Sequence, residues 1–331
     1  MKQDKIKFIR QGIIFCILFI LVFYLLNAAY STAILSNTIM ERIDLQFKEN
    51  IKDTPVLFMG ASHTANAINP SLIQNSFNLA NGGTNYIQIY YKLKKVLNST
   101  ESPIKIIVLP IDPNSFSPYF AKRFNNEWYW KKYIDFKKIS ENSTNISSFK
   151  KIVKSYFPLF DSGENLISFI FIKKKAELIK GYAPQTGNFS SHPAKSKDAS
   201  QRIKKHLAYS ENVNQNAFKH FKKILELSKK KKIYVILVKY PLTEEFVIEA
   251  KKYLDFEEFY KSISAETEKF NNCYILDYQK FFLNKYDLFK NSDHLNKWGA
   301  EILSKQVAKD LEKIKLNIIL NNQISDFIKQ K

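Results

Sequence analysis

The sequence predicts an α/β protein: a doubly wound, parallel, five-stranded sheet carrying a helical insertion and preceded by one N-terminal transmembrane helix. Three observations lead there. Apolar runs of strand length occur at 56–59, 77–80, 104–111, 233–238 and 274–276, each bounded by turn or polar residues. Helix-like segments at 86–97, 212–230, 244–254, 256–270 and 297–316 lie between or after them. Fully apolar short strands alternating with helices are the pattern of a parallel sheet covered on both faces, with right-handed crossovers. The third observation is an apolar segment near the N-terminus that is too long for a globular core.

That segment comes first in the chain. Residues 12–26 are apolar or small, and 27–35 extend the run to the roughly 20 residues that span a bilayer. Lys2, Lys5, Lys7 and Arg10 precede it. The positive-inside rule keeps this flank in the cytoplasm and places the large C-terminal part in the periplasm or outside the cell. The expected localisation is therefore single-pass in the cytoplasmic membrane. Small residues at Ala28, Ala29 and Ala33 offer a cleaved signal peptide as the competing reading; the length of the run favours a retained anchor. The expected organisation is a basic flank at 1–11, an anchor at 12–35, a stalk at 36–53, an α/β domain at 54–316 and a tail at 317–331.

Within the domain, the alternation breaks between about 113 and 210, where aromatics and lysines cluster, most densely in Phe124-Asn125-Asn126-Glu127-Trp128-Tyr129-Trp130-Lys131-Lys132-Tyr133. This reads as a helical insertion forming a lid over the carboxyl edge of the sheet, with a loop at 181–187 bordering the site. Interleaved aromatic and basic residues also suit single-stranded nucleic acid or carbohydrate. More often such a stripe is the core of a small helical subdomain.

Lys and Arg together number 51 against 31 Asp and Glu, a net charge of +20. The excess is Lys scattered among Asn, Ile, Phe and Tyr, which fits compositional bias better than one anionic partner, and export argues against nucleic acid. Two cysteines, Cys16 in the membrane segment and Cys273 in a strand, leave the exported domain without a disulfide of its own. Neither has metal-ligand spacing, nor do His192, His206 and His220, and no cofactor or metal is expected.

Two motifs carry the chemistry. Gly60-Ala61-Ser62-His63 directly follows the first strand, where a serine hydroxyl stands at the carboxyl edge of a parallel sheet. Asp293-His294-Leu295-Asn296, followed by Gly299-Ala300, opens the last helix. Either alone could be ordinary punctuation, with Ser62 as a helix cap and Asp293 or Asn296 capping the last helix. In this order, at the two ends of an alternating pattern, they resemble the SGNH hydrolase superfamily, the α/β esterases and acyltransferases related to GDSL lipases. The resemblance spans roughly 54–112 and 231–312. It is greatest to membrane-anchored exported members that act on cell-envelope polymers, such as the D-alanyl-lipoteichoic acid transfer and polysaccharide O-acetyltransferase proteins.

The resemblance implies a flavodoxin-like sheet, Ser62 as nucleophile and His294 as base. It also implies an oxyanion hole from Gly83, with Gly82 next, in Asn78-Leu79-Ala80-Asn81-Gly82-Gly83. Two departures stand out. The acid usually three residues before the histidine is here Asn291, leaving Asp293, Asn291 alone, or a dyad to support His294. The asparagine that often completes the oxyanion hole has Asp112 or Asn114 in its place. His63 is expected to line the site rather than act as base. The implied function is a membrane-tethered serine O-acyltransferase or esterase on an envelope polysaccharide or glycan, with an acyl-serine intermediate. A multispanning membrane protein is the implied acyl donor. The alternative is a catalytically inactive member of the fold that binds glycan or serves assembly.

Overall fold

In the computed structural model, residues 2–99, 102–117, 119, 126–135, 137–138, 148–163, 176–207 and 214–329 are described; much of the expected insertion, Phe124 included, lies outside them. In chain order the elements are α1 (Lys2–Ala33), α2 (Ile39–Asn50), β1 (Val56–Phe58), α3 (Ser62–Ala67), β2 (Ser76–Asn78), α4 (Tyr86–Leu97), β3 (Ile106–Pro110), α5 (Glu127–Trp130), α6 (Ser148–Tyr156), α7 (Lys195–His206), α8 (Gln215–Lys230), β4 (Tyr234–Lys239), α9 (Glu244–Ala250), α10 (Phe256–Thr267), β5 (Cys273–Asp277), β6 (Phe289–Asn291), β7 (His294–Leu295) and α11 (Lys297–Lys329). They fall into two compact units, one within 1–42, 125–141 and 145–176, the other comprising the remainder.

The larger unit is the expected doubly wound fold. Five strands pair in the order β2-β1-β3-β4-β5, all parallel. Strand alternation divides the core in two. Leu57, Ile107, Leu109, Val235 and Leu237 face one side and meet Tyr86, Ile89 and Leu93 of α4, Phe221 and Ile224 of α8 and Ile263 of α10. Val56, Phe58, Ile106, Val108, Ile236 and Val238 face the other and meet Ile68 and, from α11, Leu303, Val307 and Leu311. The central strands β1, β3 and β4 are buried on both faces, which is why they read as unbroken apolar runs, whereas edge strand β5 is half-buried to exposed.

Helix boundaries follow local chemistry. Asn85 and Gln88 form a reciprocal capping box at the start of α4, and Asn214, Thr243 and Asp255 cap α8, α9 and α10 through their side chains. The helix expected at 244–254 stops at Ala250, because Asp255 takes up the N–H groups of Glu257 and Glu258 and starts α10. The stretch 317–329, expected as a tail, continues α11, since no Gly or Pro interrupts it. Of the expected stalk, Ile43 and Phe47 of α2 are buried in the sheet's core, with the Phe47 ring 5.2 Å from that of Phe77.

In the smaller unit α1 is long and apolar enough to cross a membrane. Tyr129, Trp130 and Ile134 are buried, and Lys132 pairs with Glu41 at 2.8 Å, so the described part of the aromatic stripe is a helical core.

Candidate active site

The strand order reverses between β1 and β3, and the crevice outside the carboxyl ends of those strands is where open α/β sheets bind ligands. Ser62 follows β1, as the first residue of α3, with Ala61 as a cap that makes no side-chain bond. Ser62 is thus not spent as a helix cap. The turn before it needs Gly60, whose φ is +154° and whose Cβ would collide with Thr64 Oγ1 and Pro110. Asp112 follows β3, and the hairpin β6–β7, with Ser292 and Asp293 in its turn, follows β5.

Asn296, not Asp293, caps α11: its Oδ1 accepts from Trp298 N and Gly299 N, both at 3.1 Å, while its Nδ2 donates to Gly187 O and Asp287 O. Asp293 is thereby left to the site, fully buried.

Both candidates for supporting His294 reach the same nitrogen. Asn291 Oδ1 hydrogen-bonds His294 Nδ1 at 3.0 Å and accepts from His294 N at 3.0 Å. Asp293 Oδ1 lies 2.8 Å from Nδ1, a close contact outside hydrogen-bond geometry. His294 Nε2 is buried with no hydrogen-bond partner among the described residues, and none joins it to Ser62. Such bonds are often long before substrate binds. Burial, reinforced by the charges of His63 and Arg202 and opposed by Asp293, lowers the His294 pKa and leaves the ring neutral near pH 7.

His63 does more than line the site. Its Nδ1 is 2.7 Å from Asp112 Oδ2 and its Nε2 3.5 Å from Asp293 Oδ2. Burial alone would lower its pKa, but Asp112 and then Asp293 outweigh that and raise it to about 10. His63 is therefore an imidazolium between two carboxylates, and its ring lies edge-on to His294 with centroids 5.2 Å apart. Burial would push the Asp293 carboxyl up, but its close contacts with the His294 and His63 rings outweigh that and hold it well below the usual carboxylate range. Asp112 is fixed from behind by Tyr240 N, 3.2 Å from its Oδ1.

Sequence reading missed the clamp on the hairpin. Arg202 Nη1 of α7 lies 2.9 Å from Asp293 Oδ1 and its Nε 3.2 Å from Asp198 Oδ2. Asp198 Oδ2 also accepts from Ser292 N at 3.1 Å and Ser292 Oγ at 2.6 Å, while Ser292 O accepts from Thr243 N and Oγ1. The only advance signal was the Asp198–Arg202 spacing of four residues on a helix.

Ser62, His63, Thr84, Asp112, Asn114 and His206 line a cavity of about 20 Å³, room for roughly one water molecule. Asn114 Oδ1 is buried there without a hydrogen-bond partner among the described residues. Gly82 and Gly83 do not line it, although Gly83 has the φ of +73° that a non-glycine residue avoids. A larger cleft of about 1070 Å³ near Phe256 and Tyr260 contains none of these groups. His63, Asp293 and His294 bring donor atoms within 4.8 Å of one another, close enough for a metal ion. The imidazolium at His63 would have to lose a proton first.

Fold and site define a doubly wound α/β protein with serine, histidine and carboxylate groups at its topological switch point. No protein-family profile and no curated protein matches the chain. Among solved structures it is similar to a Streptococcus pneumonia protein provisionally described as a platelet activating factor, at 10% identity and TM-score 0.41, covering 86% of this chain and 97% of that one. It is also similar to a Bacteroides fragilis protein provisionally described as an acylhydrolase, at 12% identity and TM-score 0.39, covering 81% and 94%. At this level neither likeness carries an assignment.

Proposed function

We propose that this chain is a membrane-tethered, SGNH-type serine O-acyltransferase or esterase acting on an envelope polysaccharide or glycan. Ser62 Oγ attacks the ester carbonyl carbon while His294 Nε2 takes its proton. The proton then passes to the departing alkoxide, leaving acyl-Ser62, which water or a glycan hydroxyl resolves to acid or new ester. The observation that carries this reading is His294 itself: neutral, contacted at Nδ1 by Asn291 and Asp293, with a buried Nε2 that has no hydrogen-bond partner among the described residues. Asn114 and the backbone N–H groups around Ser62 and Gly83 are the candidate oxyanion donors. The small cavity favours a short acyl group. Single-pass anchoring by α1, with the α/β domain on the far side of the cytoplasmic membrane, holds the site near a lipid-linked or surface polymer. A multispanning acyl-donor protein is the proposed partner.

A fluorophosphonate probe applied to the full chain tests this: labelling of wild type that is lost in both Ser62→Ala and His294→Ala supports it. Folded wild type that stays unlabelled favours the second reading, a non-catalytic glycan-binding or assembly protein. The missing Ser62–His294 hydrogen bond and the cavity's size are the observations on that side.

A further inference from the structure

Helix α6 presents its apolar face outward. Lys151 and Ser155 are buried, at 2% and 0% exposure, while Phe149, Ile152 and Tyr156 are 74%, 39% and 60% exposed. Positions 149, 152 and 156 share one helical face, and the 3-10 turn Pro158–Asp161 that follows adds Phe160, 63% exposed. A helix facing water would be turned the other way. Large apolar side chains gathered on so short a segment mark a contact surface.

The attachment of the segment indicates what covers that surface. Asn27 of α1, itself buried, donates from Nδ2 to Tyr156 O at 3.4 Å and accepts from Leu159 N at 3.2 Å. The Phe23 ring lies 4.8 Å from Phe160 and 5.6 Å from Phe157. The segment is thus tied to α1 at residues 23–27. At 1.5 Å per residue these lie about 20–25 Å beyond Arg10, where the basic flank ends. A hydrocarbon layer about 30 Å thick places that level in the far leaflet, approaching the headgroups. The exposed apolar surface of α1, from Ile13 to Leu26, leads directly to it. Cations surround the patch: Lys150 is exposed, Lys154 half-buried, and Lys131 Nζ sits 4.7 Å from the centre of the Tyr156 ring. Aromatic rings beside lysines are the chemistry of the membrane interface.

We propose that α6 and the turn after it form an interfacial membrane element. Phe149, Ile152, Tyr156 and Phe160 enter the acyl region of the leaflet on the C-terminal side of α1, and Lys131, Lys150 and Lys154 meet anionic lipid headgroups. This rests on the reading of α1 as a membrane-spanning helix.

The test uses the full chain with Cys16→Ser and Cys273→Ser, carrying a single fluorescent label at Phe149→Cys or Ile152→Cys. Ile17→Cys in α1 and Glu301→Cys in α11 serve as controls, all in liposomes of phosphatidylcholine and phosphatidylglycerol. Labels at 149 and 152 are expected to lose emission to lipids quenched near the headgroup, the label at 17 to lipids quenched deep in the chain, and the label at 301 to neither. Quenching at 17 without quenching at 149 and 152 overturns the proposal while leaving the membrane helix intact. No quenching at 17 overturns the membrane helix and the proposal with it. Labels at 149 and 152 that are shielded from aqueous iodide yet unquenched by lipid overturn it in favour of a second copy of the chain.

Discussion

His63 Nδ1 lies 2.7 Å from Asp112 Oδ2, joining the residue after Ser62 to the end of β3 across 49 positions of sequence. The pair lies across the switch point of the sheet, and its imidazolium also faces Asp293 at 3.5 Å. A buried positive charge between two carboxylates is a structural commitment, because removing one partner leaves the others buried and uncompensated. Asp112→Asn is therefore expected to destabilise the protein by about 3–5 kcal/mol, measured by denaturant unfolding of the full chain in detergent. A cost within the error of the measurement would mean that the pair is not buried as described.

The same pair predicts how stability varies with pH. The folded pKa of His63 is raised to about 10 from the ordinary histidine value of 6.5. Its contribution is fully present below 6.5 and is lost as pH rises through about 10. The thermal midpoint should fall across that window, and His63→Gln should flatten the fall. An unchanged slope in the variant would assign the pH dependence to other groups.

For His294 the sign is opposite, since burial lowers its pKa. Its neutral form is the base, so fluorophosphonate labelling should hold near pH 7 and decline only at a pH below the ordinary histidine value of 6.5. Asn291→Asp puts a negative charge about 3.0 Å from Nδ1, which raises the His294 pKa and moves that decline to higher pH. A limb that does not move would show that position 291 does not govern the base.

Asn291 and Asp293 divide the support of His294 between them, one by hydrogen bond and one by charge. Only the carboxylate can stabilise the imidazolium that forms as Ser62 is deprotonated. Asp293→Asn should slow labelling by roughly 10²–10⁴-fold, and Asn291→Ala by less. The reverse order of losses would make the asparagine the principal partner.

Asp198 holds the hairpin turn through Ser292 N and Oγ. Losing these charge-assisted bonds in Asp198→Ala should cost about 1.5–3 kcal/mol in unfolding and should slow labelling as well, because Arg202 loses one of its two carboxylate partners and the His294 turn loosens. Lower stability with unaltered labelling would separate the clamp from the site.

Much of this was legible in sequence. The central strands β1, β3 and β4 read as apolar runs because both their faces are covered, and helices of the sheet start at side-chain caps such as Asn85, Thr243 and Asp255. Ser62 and His294 stood out because a Gly-x-Ser turn and an Asp-His-Leu-Asn sequence are local patterns. The β6–β7 hairpin did not: its strands of three and two residues carry no usable periodicity. Arg202 and Asp198 were likewise invisible as site residues, since their partners at 292 and 293 lie about ninety positions away.

The sequence by itself determined the membrane-length helix, the sheet class and the two motifs at its ends, all of which follow from apolar runs and neighbouring residues. Tertiary structure decided the electrostatics: that Asn296 and not Asp293 caps the last helix, that His63 is charged and His294 neutral, and that Arg202 holds the acid between them. Those outcomes depend on burial and on distances of about 3 Å between groups from different strands and helices. Burial makes each charge depend on its neighbours, and only the folded chain brings those neighbours together.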